Sequence, residues 1–278
     1  MATVRLCGGM GNQIWQRAFG YALEARGNEV VLDRSYFDNN DSRAYTLDRF
    51  DTQVVFGQAS GQEITEPDLT YHPELLKNYQ QDVTLNGYWQ CPRYLEGVED
   101  KVRGAFSVPC RWPRGKTLAI RREIENSESC FLHVRRTDSL AARGLAFHGV
   151  CSGEYYGRAI DFILARVKDP HFFVFSDDIE WCKKNVVEFG HPVTFVDHNT
   201  TGVTVLPDNE VRKTDTGSEE FDLWLMSRCK HGITANSSFS FWAAWLQENP
   251  QKLSISPKQW LMGVHNDLSK DMIPWLRI

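Results

Sequence analysis

The stretch FLHVRRTD, residues 131–138, ends an apolar run in His133, Arg135 and Arg136, side chains suited to holding an anion, with Asp138 close by. Alternation along a strand places His133 and Arg135 on one face and Arg136 on the other. An arginine at the carboxyl end of a parallel strand faces the crevice where open α/β sheets bind ligands, and its planar fork matches phosphate oxygens, so Arg135 reads as a phosphate ligand. The same residues would equally serve as a surface ion-pair cluster, with Asp138 answering the two arginines.

Two further stretches end apolar runs in the same way. FFVFSDD, residues 172–178, finishes in Ser176, Asp177 and Asp178. One carboxylate can accept two parallel hydrogen bonds from guanine N1–H and N2–H, a role that falls to Asp177. The competing reading is that Ser176 or Asp177 caps the next helix, or that Asp178 caps while Asp177 binds. TANSSFSFWAAWL, residues 234–246, puts Ser237 and Ser238 at a helix start, where hydroxyls and unpaired backbone N–H groups make an anion site. Phe241, Trp242, Trp245 and Leu246 follow helical spacing and belong to a core.

Near the N-terminus, GGMGNQIWQ (residues 8–16) offers Gly9 and Gly11 as a GxG after a strand, and Asp33 lies where a ribose-binding acid would stand. That would make an NAD-dependent enzyme. The third glycine is replaced by Ile14, however, and Asn12 and Gln13 set side-chain amides at the helix start. A tight turn needing positive φ would explain the glycines without any ligand.

No DxD arrangement is present to hold a divalent ion against a diphosphate, since Asp177 and Asp178 are adjacent. His72, His148, His171, His191, His198, His231 and His265 form no HxxxH or HExxH pair, and the seven cysteines show no metal-ligand spacing. No metal site is expected, and the thiols read as reduced. Over 278 residues the chain is 42% apolar and 24% charged with a net charge of -5, which argues against a general nucleic-acid or membrane-surface binder. No apolar run approaches the roughly 18 residues that cross a bilayer, so a soluble cytoplasmic protein is expected.

Positioning these residues requires alternating strands and helices. The pattern predicts strand 4–7, helix 13–26 and strand 29–32, irregular structure with short helices over 38–90, strand 85–89, and helix 93–106. After a connection rich in Pro, Arg and Trp come strand 130–134, helix 153–167, strand 172–175, helix 179–188 and strand 193–196. A polar loop at 199–217 is the candidate lid; helix 219–228, strand 232–234, helix 239–247 and strand 253–255 follow. Such alternation implies parallel sheets covered on both faces. The expected architecture is α/β, two Rossmann-like lobes facing a central cleft, divided as 1–120 and 121–278.

Taken together, GGMGNQIWQ, HVRRTD, FSDD and NSSFSFWAAWL, with PKQW at 257–260, resemble the bacterial α-1,2-fucosyltransferases of glycosyltransferase family 11 in order and approximate spacing over nearly the whole chain. HVRRTD alone is less specific, because α-1,6- and protein O-fucosyltransferases share it.

The resemblance implies a GT-B fold, GDP-β-L-fucose as donor, no required cofactor or metal, and inversion to an α-fucosyl product on the 2-hydroxyl of a galactose-terminated glycan. The N-terminal lobe would receive the acceptor and the C-terminal lobe GDP-fucose. Arg135 would bind the β-phosphate, His133 and Asp177 would lie near the guanosine, and Ser237 and Ser238 would meet the diphosphate. Arg136 and Asp138 would brace the motif, with Asp138 also a candidate proton acceptor. Gly9 and Gly11 would let the backbone approach the cleft, and Asn12 and Gln13 would reach the fucose, the scissile oxygen or the acceptor. Association with the inner face of the membrane through a lipid-linked O-antigen or polysaccharide precursor would be transient, and the sequence specifies no oligomeric state. A silent nucleotide-sugar or glycan-binding protein is the alternative from another class.

Overall fold

The computed structural model describes residues 1–38, 43–136, 149–186, 190–199, 203–205, 211–213, 218–260 and 273–278, with 203–205 and 211–213 as backbone only. The chain divides into two compact units, Met1–Cys110 with Asp267–Pro274, and Arg111–Asn266 with Trp275–Ile278.

In the first unit β1 (Ala2–Arg5), β2 (Val30–Asp33), β3 (Gln62–Thr65) and β4 (Val83–Asn86) form a parallel sheet in the order β2-β1-β4-β3. Ala2, Thr3 and Val4 of the central strand are wholly buried, as a strand covered on both faces must be. The helix α1 (Met10–Glu24) begins three residues before the expected start, and apart from Asn12 every residue from Met10 to Leu23 is buried. The helix is therefore enclosed on all sides rather than amphipathic. Its buried charge, Arg17, is met by Glu24 Oε1 at 2.7 Å, by the Thr52 carbonyl and by the Tyr21 ring 3.8 Å away.

Two expected elements are interrupted. The strand expected over 85–89 stops at Asn86, and Trp89, at φ +57, stacks on Phe19 with ring centroids 4.1 Å apart. The helix expected over 93–106 is split into a 3-10 turn at Pro92–Leu95 and α2 (Glu99–Phe106), because Gly97 between them takes φ +85. Conversely, β3 lies inside the stretch expected to be irregular. It is a half-exposed edge strand and carries no alternating apolar signal.

In the second unit α3 (Lys116–Glu125) leads into β5 (Glu128–Val134), followed by α4 (Gly153–Leu164), β6 (Pro170–Ser176), α5 (Ile179–Asn185) and β7 (Val193–Phe195). An antiparallel pair, β8 (Val203–Val205) and β9 (Val211–Lys213), falls within what the sequence reads as a polar loop. Then come α6 (Glu219–Arg228), β10 (His231–Ile233), α7 (Ser238–Leu246), β11 (Ser254–Ser256) and β12 (Leu276–Arg277). Six of these strands make a second parallel sheet, β12-β11-β10-β5-β6-β7. On one face Leu132, Val134, Val174, Ile233 and Ile255 pack with Tyr155, Ala159 and Ile163 of α4. The architecture is mixed α/β with two parallel sheets, in agreement with the alternation of strand and helix in the sequence.

At the sheet centre Gly232 lies opposite Phe131, and a Cβ there would stand 2.2 Å from Cε1 of that buried ring. Gly232→Ala should therefore destabilise the protein by about 1–3 kcal/mol through overpacking. A shift of the urea midpoint to lower denaturant checks it, and an unchanged midpoint would show that the ring can move aside.

Candidate active site

In a parallel sheet every strand leaves at the same edge, so the residues that follow β5, β6, β7 and β10 gather there. Arg135 and Arg136 follow β5; Ser176, Asp177 and Asp178 end or follow β6; Ser237 caps α7. The backbone N–H of Arg136 donates to Asp177 Oδ1 at 2.8 Å, joining two neighbouring strand exits. Asp178 caps α5 by accepting the Trp181 N–H at 3.1 Å, and its own N–H donates to Ser176 Oγ at 2.9 Å. The capping role thus belongs to Asp178, while Asp177 ties down the β5 exit.

Arg136 is held from its side chain as well. Its guanidinium lies 3.7 Å over the Trp181 ring, with Nε 3.6 Å from Asp178 Oδ2. Because the two arginines alternate along an extended chain, anchoring Arg136 on one side assigns the other side to Arg135, which is half-buried. His133 is buried, with its ring 5.7 Å from Phe239 and its carbonyl accepting the Tyr156 hydroxyl at 3.1 Å. Asp138 lies outside the described residues.

The α7 N-terminus differs from its neighbours in charge. Ser152 caps α4 and Asp178 caps α5, each with an acid in the first turn, and α6 opens with Glu219, Glu220 and Asp222. By contrast α7 has no acid in its first turn and no side-chain cap from Ser237, so the helix itself supplies no charge against the positive end of its dipole. Behind it the Tyr155 hydroxyl donates to the Thr234 carbonyl at 2.6 Å, and Thr234 Oγ1 lies 2.6 Å from Ser256 Oγ, so the ends of β10 and β11 are fixed together.

A third group on this edge escaped the sequence reading. Asp222 is buried; its Oδ1 accepts Asn199 Nδ2 at 2.9 Å, Thr117 Oγ1 donates to Asn199 Oδ1 at 3.1 Å, and His198 Nε2 lies 3.0 Å from the same hydroxyl. Burial pushes the Asp222 carboxyl up to about 8, with the hydrogen bond from Asn199 opposing and the charges of Glu219 and Glu220 adding to the rise. The available signal was the apolar run FDLWLM, in which a lone acid must be enclosed.

The first sheet has its own carboxyl edge, and there the glycine loop is held by amides. Gln13 is wholly buried: Nε2 donates to the carbonyls of Gly8 at 3.0 Å and Ala44 at 2.9 Å, and Oε1 accepts the Thr46 N–H and hydroxyl. Its side chain is committed within the unit, against the expectation that it reaches a ligand. Asn12 Oδ1 accepts Gln90 Nε2 at 2.9 Å, and Gln16 bridges Cys7 N–H and the Gly87 carbonyl. Only Gly8 takes positive φ in this loop, at +77; Gly9 is the extended N-cap and Gly11 lies in the first helical turn. Glu66, also unforeseen, accepts the N–H groups of Tyr88 at 2.7 Å and Trp89 at 3.0 Å. Asp33 is buried, accepts the Ser35 N–H at 2.9 Å and pairs with Arg5 at 3.7 Å, so the acid a dinucleotide site would present to ribose is occupied.

The family profile described as Glycosyl transferase family 11 matches residues 73–262, which contain the exits of β4, β5, β6 and β10. The chain belongs to glycosyltransferase family 11. It is 30% identical to an α-1,2-colitosyltransferase of Escherichia coli, over 94% of this chain and 92% of that one. An O-antigen biosynthesis glycosyltransferase, WbnK, of Escherichia coli is 27% identical over 98% of this chain and 99% of its own length. The galactoside 2-α-L-fucosyltransferase SEC1 of Bos taurus is 28% identical, over 88% of this chain and 64% of its own. In fold, the family 11 chain resembles the crystal structure of NodZ α-1,6-fucosyltransferase soaked with GDP-fucose, with a TM-score of 0.51 and 17% identity over 91% of this chain and 94% of the other. Among the described residues no group of three or more His, Cys, Asp or Glu stands together as a metal ligand set, and no helix is long and apolar enough to cross a membrane.

The Asp222 shift has a definite sign. Folding raises its pKa from 3.8 to about 8, so the folded protein binds the proton more tightly than the unfolded chain. The stabilisation is complete below about pH 4 and is lost as pH rises through the interval to about 8. Asp222→Asn keeps an acceptor for Asn199 and should flatten this dependence. Melting temperatures should show the wild type losing more stability than the variant between pH 5 and pH 8; parallel curves would remove the buried acid from consideration.

Proposed function

We propose that this family 11 glycosyltransferase is an inverting galactoside α-1,2-fucosyltransferase, moving L-fucose from GDP-β-L-fucose to the 2-hydroxyl of a terminal galactose in an oligosaccharide or O-antigen precursor. The observation that carries the reading is Arg135 at the β5 exit, on the same sheet edge as the α7 N-terminus, whose first turn holds Ser238 and no acid and whose N-cap position is Ser237. Family membership and the names of the relatives supply the substrate class. The reading assigns the two units the arrangement of a GT-B enzyme, donor on the second and acceptor on the first.

The chemistry follows from charge. As the bond from fucose C1 to the β-phosphate oxygen breaks, GDP gathers negative charge, and a fixed guanidinium with oriented backbone N–H groups stabilises it without reorganising. His133 and Asp177 lie toward the guanosine in this reading, with Asp177 doing so from a position fixed by the Arg136 amide. The galactose hydroxyl attacks in line from the opposite face, which inverts the anomeric centre, and its proton leaves to Asp138 or to water. Asn12 orients the fucose or the attacking hydroxyl from the glycine loop, with Gly9 and Gly11 allowing close approach of the backbone.

Arg135→Ala should remove about 3 kcal/mol of transition-state stabilisation, a loss of roughly a hundredfold or more in kcat, while the fold persists. The measurement is GDP release from GDP-fucose with β1,3- and β1,4-linked galactosides, with circular dichroism as the control. A variant of wild-type activity would sink the phosphate assignment, and a wild type that binds GDP-fucose but never cleaves it to GDP would favour the silent binding protein.

Because Arg135 and helix amides meet the developing charge, transfer should continue in excess EDTA. Abolition by EDTA and recovery with Mn²⁺ or Mg²⁺ would contradict this. A second reading, favoured by the relative at 30% identity, replaces fucose by colitose as the transferred sugar, and parallel assays with the two GDP-sugars separate them.

A further inference from the structure

Tyr36, Phe56 and Tyr88 are 38%, 44% and 40% exposed, and all three stand at the carboxyl edge of the first sheet. Tyr36 lies three residues beyond β2, Phe56 bridges to Leu32 near the end of β2, and Tyr88 lies two residues beyond β4. Through Phe37 and Tyr45 the first two rings form a continuous aromatic chain, with centroid separations of 5.1, 6.1 and 5.5 Å. The guanidinium of Arg34 lies 4.4 Å over Phe56. On the other side, the Tyr88 phenol is raised in pKa chiefly by burial, and also by the nearby groups Cys7 and Tyr36, while Arg43 opposes the rise. Arg43 Nη1 in turn stands 3.9 Å from where a side chain on Gly9 would begin. The aromatic edge therefore abuts the glycine loop.

The exposure of Tyr88 is not slack. Glu66 Oε2 accepts its N–H at 2.7 Å and both Glu66 oxygens accept that of Trp89, whose ring is wholly buried against Phe19 from a left-handed backbone. A half-buried carboxylate and an unfavourable φ are thus spent on fixing the turn that displays one tyrosine. Aromatic rings interleaved with arginines and phenol hydroxyls suit a ligand that is apolar on one face and polar at its rim. A galactopyranose fits that description: its C3–H, C4–H and C5–H bonds share one face, and its hydroxyls ring the edge.

Resting on the fucosyltransferase reading, we infer that Tyr88, with Tyr36 beside it, forms the subsite on which the apolar face of the acceptor galactose stacks. Glu66 is the positioning residue that fixes Tyr88. The occupant is a neutral glycan terminus, bound by ring stacking and by hydroxyl contacts at the rim.

The test uses lactose and Galβ1,3GlcNAc as probes with the full-length protein and the variants Tyr88→Ala, Tyr88→Phe and Tyr36→Ala. At saturating GDP-fucose, Tyr88→Ala should raise the acceptor KM at least tenfold and Tyr36→Ala severalfold. Tyr88→Phe, which keeps the ring, should stay within about threefold of wild type, and the Kd for GDP should not move in any variant. Saturation-transfer NMR, which needs no turnover, should show the strongest signal at galactose H3, H4 and H5 in the wild type and lose it in Tyr88→Ala. An acceptor KM within twofold of wild type in Tyr88→Ala, an equal defect in Tyr88→Phe, or no saturation transfer from the wild type to the galactose would each overturn the subsite. Failure of the wild type to transfer fucose while lactose still shows the tyrosine-dependent signal would overturn the fucosyltransferase reading and leave the glycan subsite standing.

Discussion

Two strands leave the six-stranded sheet side by side, and the 2.8 Å hydrogen bond from the Arg136 amide to Asp177 Oδ1 joins their exits before either chain can diverge. A carboxylate accepting a backbone N–H at this position does more than satisfy an orphan donor, because it sets the direction of the extended chain beyond β5. Arg136 is then drawn to Asp178 and Trp181, and alternation assigns Arg135 to the other face. In the proposed reaction, the cation that meets the phosphate is thus aimed in part by contacts that its neighbours make. The same logic makes Asp178 a cap rather than a ligand, since its carboxylate already serves the start of α5 and the flank of Arg136.

The first unit reaches comparable rigidity with uncharged groups. Gln13, Gln16, Asn12 and Gln90 knit the glycine loop to the segments 44–46 and 87–90, and the amides of Gln13 and Gln16 each donate and accept at once while Gln90 donates to Asn12. An amide can satisfy a carbonyl and an N–H at once, which a carboxylate or an ammonium cannot. That property lets a loop be buried without paying to desolvate a charge. It also explains why one glycine with positive φ suffices, and why it is Gly8 rather than Gly9 or Gly11: the loop is shaped by its side-chain partners, and Gly8 alone marks the turn.

Much of this was legible in the sequence where burial is uniform. The runs FLHV and FFVF are buried throughout and, His133 apart, apolar, as strands covered on both faces must be, and each ends at the polar residues that prove to share the edge. The reading failed where burial is partial or where a side chain's partner is distant in sequence. Edge strand β3 shows no alternation because most of it is exposed, and α3 was overlooked although Thr117, Ile120 and Ile124 recur at helical spacing. Gln13 looked like a ligand because nothing local reveals that Ala44 and Thr46 would enclose it. Glu66 was invisible for the converse reason, since an acid in sequence resembles any other until its burial is known, and Asp222 is marked only by the apolar run around it.

The two sheet edges differ in the one respect that a sugar-transferring enzyme requires. In the proposed reaction the donor carries a diphosphate, for which a guanidinium and the N–H groups of a helix start repay their own desolvation through strong, short-range attraction. The proposed acceptor is a neutral polyol, against which a free cation would gain little and would lose its own hydration. Along the first edge three arginines are turned to other partners: Arg5 to Asp33 and Glu63, Arg17 to Glu24, Arg34 to the Phe56 ring. What the edge offers instead are amides and aromatic faces, groups that discriminate by shape and hydrogen-bond direction rather than by charge. Binding at one edge should then weaken steeply with salt and at the other hardly at all, because screening acts on charges and leaves stacking almost untouched.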